Sequence, residues 1–294
     1  MTTPNKIFRY NTNGNWFKGN THIHSIASDG GKSIPEIAEL YSKAQYDFIF
    51  ITDHWVSSDV DKTYKNPPLL LIDGIEIDGA DNTGAYFHVV CLGKTREIIH
   101  ADGLENAMKK AREQNAVVIL AHPYWCGNSL EDAIRWDFDG VEIYNHVCQW
   151  MNGKSYGGVH WNEMLKKNPG ALSFAVDDAH LRPEHPGWNG GWIVINAPEL
   201  SKENVLKAIK NGNYYSSCGP DFKSITCDNK LLHIECSPVK FIRLVGPNAR
   251  GCPLGSFNGK LLTQISIEIP EDWDYIYIEI EDKDGKKAWS NTLY

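Results

Sequence analysis

The sequence predicts an α/β protein: a (β/α) barrel over residues 1–220, then a small antiparallel β domain over residues 221–294. Three observations carry this. Short apolar runs alternate with helix-period segments up to about residue 215. His and Asp residues stand directly after several of those runs. After Gly219-Pro220 the texture changes to short stretches alternating with period two, the pattern of half-buried strands.

The apolar runs are Phe48–Ile51, Leu69–Ile72, Val117–Leu120, Val141–Tyr144 and Leu172–Val176. Near-continuous apolarity is what a parallel strand covered on both faces requires. Between them the helices have readable ends. Ser33 with Glu36 makes a capping box, and Ile34, Ile37, Ala38 and Tyr41 form one apolar stripe. Leu104, Ala107, Met108 and Ala111 form a second, and Ser201 opens a third helix that stops at Gly212. Such alternation fits a barrel or a doubly wound sheet. Asp53-His54 follows the first run, His122 the third, and Asp178 and His180 the last. Polar groups at the ends of several different strands are how barrels build sites, so the barrel is preferred. In the tail Ile265, Ile267 and Ile269 alternate, and the stretch Asp274–Trp289 alternates about a turn at Asp284-Gly285, a hairpin signal.

A chain of 294 residues with ten tryptophans can bury a large core, which excludes disorder. The net charge of −8 argues against a nucleic-acid partner. Bound cations can reverse a local field, so a phosphorylated small molecule stays compatible. Seven scattered cysteines without a Cys-x-x-Cys pair read as reduced thiols, and the opening Met1-Thr-Thr-Pro-Asn-Lys lacks the apolar stretch of a signal peptide. The expectation is a cytoplasmic protein with a small-molecule substrate and no membrane partner. The oligomeric state is left open.

The chemistry lies in the His and carboxylate pairs. His22-x-His24 places two imidazoles on one side of an extended strand, and Asp178-x-His180 does the same with a carboxylate and an imidazole. His54, Glu76, His88, His122 and Asp29 complete nine candidate ligands. One tetrahedral ion uses three or four protein ligands, so nine suit two or three ions. Imidazole with carboxylate favours Zn, Mn or Fe over Ca or Mg. Burying so many polar groups without a cation would be costly.

These motifs resemble those of the polymerase and histidinol phosphatase (PHP) family of metal-dependent hydrolases. The resemblance rests on His22-x-His24 with Ser28-Asp29-Gly30, Thr52-Asp53-His54, Ala121-His122-Pro123 and Asp178-x-His180, in that order, with Glu76 and His88 between. It covers about residues 15–220 and implies a distorted seven-stranded barrel. It also implies a ligand set: His22, His24, Glu76 and Asp178 for a first metal, Glu76, His88 and His122 for a second, and Asp29, His54 and His180 for a third. The strings Asn213–Pro220 and Asp284–Asn291 further resemble the branch that includes carbaryl hydrolase, which implies carbamate, ester or amide hydrolysis beside phosphate ester hydrolysis.

The leading expectation is a phosphoesterase acting through metal-activated water; the alternative is a carbamate, ester or amide hydrolase using the same metals. No Gly-x-Ser-x-Gly elbow is present. Asp53 and Asp177 are candidates to orient an imidazole. Arg182 is a candidate phosphate grip, and His185 or His146 a candidate acid. A non-catalytic metal-binding or carbohydrate-associated module ranks third.

Overall fold

The computed structural model describes residues 7–294. Strands β1 (Asn15–Asn20), β2 (Phe48–Ile51), β3 (Leu70–Ala80), β4 (Tyr86–Leu92), β5 (Val117–Leu120), β6 (Gly140–Asn145) and β7 (Leu172–Val176) are neighbours in chain order. β2, β5, β6 and β7 are buried at every residue, which is why they read as near-continuous apolar runs. The helices lie where the stripes place them. Ile34–Lys43 begins as the Ser33 N–H donates to the Glu36 carboxylate (2.9 Å) and buries Ile34, Ile37, Ala38 and Tyr41. Gly103–Glu113 buries Leu104, Ala107, Met108 and Ala111. Lys202–Asn211 starts at a Ser201 cap and ends at Gly212, whose φ is 70°.

Two features depart from the expected barrel. β1, β2 and β3 pair in parallel, as do β5, β6 and β7, but β4 is antiparallel to both β3 and β5. The short link from Ala80 to Tyr86 cannot hold the dozen or more residues of a parallel crossover, so the chain must turn back. Among the described residues no strand ladder closes the ring either. The free edge of β1 is taken by the antiparallel β8 (Trp192–Ala197), which in turn pairs with β9 (Tyr214–Ser217). Beyond the strands' ends, the β1 and β7 segments meet at one parallel bridge, Ile23 with Ala179, where the His24 N–H donates to the Ala179 carbonyl (3.0 Å). The architecture is thus a large mixed sheet with helices, not a closed (β/α) barrel.

Seven further strands follow: β10 (Phe222–Asp228), β11 (Leu231–Val239), β12 (Phe241–Val245), β13 (Gly251–Gly255), β14 (Leu262–Glu268), β15 (Tyr277–Glu281) and β16 (Lys287–Ser290). β10, β11 and β14 form a separate antiparallel sheet. β16 pairs with β9, and β15, β12 and β13 continue the large sheet outward from it. The expected β15–β16 hairpin is present, with Gly285 at φ 80°. Ile225, Leu232, Ile234, Ile242, Leu244, Ile278 and Ile280 share one apolar cluster in this region. Among the described residues no helix is long and apolar enough to cross a membrane, and the seven cysteines are free thiols.

Candidate metal centre

The strand ends deliver the ligand-type side chains to one place. His22 and His24 follow β1, His54 follows β2, His122 follows β5, and Asp178 and His180 follow β7. Glu76 lies inside β3 rather than at its end, and His88 is the third residue of β4. Because β4 runs backwards, its start lies beside the far half of β3, with His88 opposite Asp78. His122 (φ 24°) and Asp178 (φ 56°) turn off their strands through left-handed backbone, which costs a non-glycine residue about 1–2 kcal/mol. Gly30 is where a close approach is required: a Cβ there would sit 2.3 Å from the His24 carbonyl oxygen. The adjacent Gly31 N–H donates to the His180 carbonyl (2.7 Å). The Ser28-Asp29-Gly30 turn is thereby clamped to two ligand segments, and Asp29 reaches the cluster.

Four ligand-type atoms crowd into one cage. His22 Nε2 is 3.1 Å from His24 Nε2, 3.0 Å from Glu76 Oε2 and 3.3 Å from Asp178 Oδ1. His24 Nε2 is 3.1 Å from the same Glu76 oxygen and 3.2 Å from the same Asp178 oxygen. A regular tetrahedron with edges of that length would have its centre about 1.9 Å from each corner, close to the ~2.0–2.1 Å of a zinc–nitrogen bond. The second Glu76 oxygen faces elsewhere: Oε1 is 2.8 Å from His88 Nδ1 and 3.3 Å from His122 Nε2. A third group joins His24, Asp29, His54 and His180, with His180 Nε2 3.1 Å from Asp29 Oδ2. All nine candidate ligands of the sequence therefore converge.

The electrostatics and hydrogen bonding fit a cation. Burial opposes charge on the imidazoles, but the carboxylates outweigh it. Asp178, Glu76 and Glu142 lift His22 well above the ordinary range, and Glu76 with Asp78 lifts His54 to about 9. Burial likewise opposes ionisation of Glu76, yet His22 and His54 hold its carboxyl well below the usual range. His24 Nδ1 and His54 Nδ1 are buried without a hydrogen-bond partner. His24 Nδ1 lies 3.4 Å from Asp29 Oδ1, two donor-set atoms that face each other without bonding. Orphaned imidazole nitrogens beside ionised carboxylates are what divalent ions would satisfy.

Several partners of the cluster are not those expected. The residue that orients an imidazole is Glu142: its Oε1 is 2.6 Å from His22 Nδ1, and its Oε2 accepts the His122 backbone N–H (2.9 Å). The visible signal was a carboxylate inside the apolar run Val141–Tyr144. Asp78 lies 3.4 Å from His54 Nδ1 and accepts the Trp55 indole N–H (2.9 Å). Asp53 instead accepts from Ser25 N–H (2.7 Å), Ser25 Oγ (2.6 Å) and Ser28 Oγ (2.7 Å), and so ties loops together. It points away from the imidazoles because successive side chains on extended chain face opposite ways. Asp177 accepts from Tyr41 Oη and the N–H groups of Asn189, Gly190 and Gly191.

The outer candidates separate. Arg182 is committed to Asp29, donating to its carbonyl and pairing with its carboxylate (2.9 Å). Its guanidinium is not free for a phosphate. His146 meets Tyr144 Oη (3.1 Å), and buried His160 meets the Asn128 carbonyl. His185 does reach the site. It lines a cavity of about 260 Å³ that opens onto Asp29, His54, Glu76, His88, His122, Asp178 and His180. Trp125, Val147, Cys148 and Met151 complete its lining, and no Lys or Arg lines the space among the described residues. Trp125 stands edge-on to both His88 and His122.

No family model matches the sequence, and no curated protein is similar to it. Among solved structures the chain is similar to a two-domain protein from Bacteroides vulgatus containing a predicted PHP-like metal-dependent phosphoesterase. That likeness has 14% identity and a TM-score of 0.53, and covers 100% of both chains. Looser matches are a candidate metal-dependent phosphoesterase from Bifidobacterium adolescentis (12% identity, TM-score 0.42, 66% of this chain and 96% of that one) and an amidohydrolase from Chromobacterium violaceum with bound sulfate and no metal (20%, 0.26, 67% and 65%). The first likeness shows a fold shared along the whole chain; the other two carry nothing further.

Proposed function

We propose that this chain is a PHP-type metal-dependent hydrolase, specifically a phosphoesterase acting on a small phosphorylated molecule. Its cofactors on this reading are two or three divalent ions, Zn, Mn or Fe. His22, His24, Glu76 and Asp178 would hold the first, Glu76, His88 and His122 the second, and Asp29, His54 and His180 the third. The observation that carries the reading is the four-atom cage of His22, His24, Glu76 and Asp178, whose five nitrogen-containing pairs stand 3.0–3.3 Å apart. The order of motifs and the shared fold support the family.

When bound, such ions supply a Lewis acid for the scissile group's oxygen and bring deprotonation of a water into the neutral range. The chain's own groups do the rest. Glu76 presents its two oxygens to two different sets of imidazoles, which fixes the spacing of the positions. Trp125, Val147 and Met151 give the cavity an apolar lining. On this reading His185, the one lining imidazole outside the candidate ligands among the described residues, would hand a proton to the leaving oxygen.

A second reading has its own observation. With no Lys or Arg on the cavity wall and Arg182 held by Asp29, a neutral carbamate, ester or amide would fit without an unmet charge. Metal-replete protein is to be assayed on matched phosphate esters and carbamates, with His122→Ala as control. The phosphoesterase reading expects phosphate release that the variant loses. Carbamate or ester turnover without phosphate release would replace it with the second reading, and turnover of neither would overturn both.

A further inference from the structure

Glu142 and Asn145 lie on β6, which supplies none of the nine candidate ligands, yet they touch both halves of that set. Glu142 is 1% exposed and Asn145 fully buried. Glu142 Oε1 faces His22 Nδ1 at 2.6 Å, the far nitrogen of an imidazole whose Nε2 is a corner of the cage. Glu142 Oε2 accepts the backbone N–H of His122 (2.9 Å), whose Nε2 faces the other Glu76 oxygen. That bond also pins His122 in its left-handed backbone. Asn145 closes the figure: its Nδ2 donates to Glu142 Oε2 (3.0 Å) and to Asp178 Oδ2 (3.2 Å). The amide's orientation is set because its Oδ1 accepts the Cys148 N–H (2.9 Å).

With an ion on His22 Nε2 the ring's proton sits on Nδ1, so the Glu142 carboxylate then faces three donors: an imidazole N–H, a peptide N–H and an amide N–H. One rigid planar group therefore sets the ring of a first-position ligand and the backbone of a second-position ligand. Resting on the reading that ions bind here, we propose that Glu142, held by Asn145, is a positioning residue that couples filling of the two metal positions. An ion on His22 fixes the Glu142 plane, and the fixed plane presents His122 to the second ion. Partners that orient ligands in this way typically change metal affinity by about 10–100-fold when removed.

The coupling is measured by titrating chelator-treated full-length protein with Mn²⁺ by calorimetry, with bound metal counted by mass spectrometry. The wild type is expected to take up two ions in one steep phase. In Glu142→Gln the amide can accept at one atom only and must turn a donor toward a donor at the other. Its isotherm is expected to split, the second ion binding at least tenfold more weakly than in the wild type. Asn145→Ala keeps both Glu142 bonds to the ligand segments and is expected to split the isotherm by a smaller factor, which serves as the test should Glu142→Gln not fold. Independent, shallow binding of two ions by the wild type would overturn the coupling while leaving the metal-site reading intact. So would variants with the wild type's single steep phase. Absence of Mn²⁺ binding to the wild type would overturn both.

Discussion

Two buried polar clusters in this molecule look alike by composition and differ in what their atoms face. At the seam between the strands before residue 220 and those after, Asn291 is fully buried and fully partnered. Its Oδ1 accepts from Ser173 N–H (2.9 Å) and Oγ (3.2 Å), and its Nδ2 donates to the carbonyls of Gly212 (3.3 Å) and Tyr214 (3.1 Å). Donors there meet acceptors, and the network holds the large sheet together. At the His22 cluster nitrogens face nitrogens at 3.1 Å and imidazoles crowd ionised carboxylates, while His24 Nδ1 and His54 Nδ1 make no hydrogen bond although each has a carboxylate oxygen 3.4 Å away. Burial of polar groups is therefore not what marks a site. Burial with donor sets aimed at common points is what does, because only a cation completes them.

The comparison breaks most visibly if each cluster is cut in turn. Asp178→Asn removes a charged corner of the cage, and is expected to lower hydrolysis by about 10²–10³-fold, the range for losing a group that stabilises developing charge. Bound metal should fall with it, as counted by elemental analysis. Asn291→Ala should do the converse. It strands buried groups that cost about 1–3 kcal/mol each when unmet, so a loss of about 3–4 kcal/mol in denaturant unfolding is expected with metal content unchanged. Loss of metal in Asn291→Ala would show that the two clusters are not separate in function.

A pH experiment sharpens the contrast further. In metal-free protein His54 sits at about 9, and His22, His122 and His180 are also raised. A histidine raised above its unfolded value of about 6.5 adds stability that is complete below that pH and is lost as pH climbs through the folded value. The metal-free protein should thus lose thermal stability between about pH 6.5 and 9. The lowered carboxyls of Asp29, Glu76 and Asp178 act oppositely, contributing above about pH 4 and failing as pH falls through their folded values. Bound ions displace the imidazole protons, so the loaded protein should hold or gain stability over pH 6.5–9. Thermal melts at both ends of that window, with and without chelator, check the reversal. Parallel curves would count against a metal centre.

The smallest effect is expected at Arg182. Since its guanidinium is spent on Asp29, Arg182→Ala should lower kcat/KM for a phosphate ester by less than about tenfold, through a loosened Asp29. A large rise in KM confined to phosphate substrates would restore it as a phosphate grip.

Much of this was legible in the sequence. β2, β5 and β7 coincide with apolar runs because burial on both faces leaves few polar positions, Ser173 being the exception. The nine candidate ligands were visible because His and carboxylate residues in or near strands have few bland uses. The reversed β4 was not read, although Asp81-Asn82-Thr83-Gly84 carries turn chemistry and Gly84 has φ 85°. Closure of the barrel was not legible at all, since it depends on whether β8 or β7 takes the edge of β1, a contest between distant segments. Asp53 was misread because adjacency to His54 in the chain was taken for adjacency in space. Glu142 was passed over inside an apolar run, where a lone carboxylate should itself have raised the question of its partner.

The central claim is that the cage of His22, His24, Glu76 and Asp178 is built around a cation. Its most direct test is an anomalous difference map from crystals grown with Mn²⁺ or Zn²⁺. The account predicts a peak within about 2.0–2.3 Å of His22 Nε2, His24 Nε2, Glu76 Oε2 and Asp178 Oδ1, with a second beside His88 and His122. A map without a peak there, and with His22 and His24 hydrogen-bonded to the carboxylates as protonated partners at neutral pH, would contradict it.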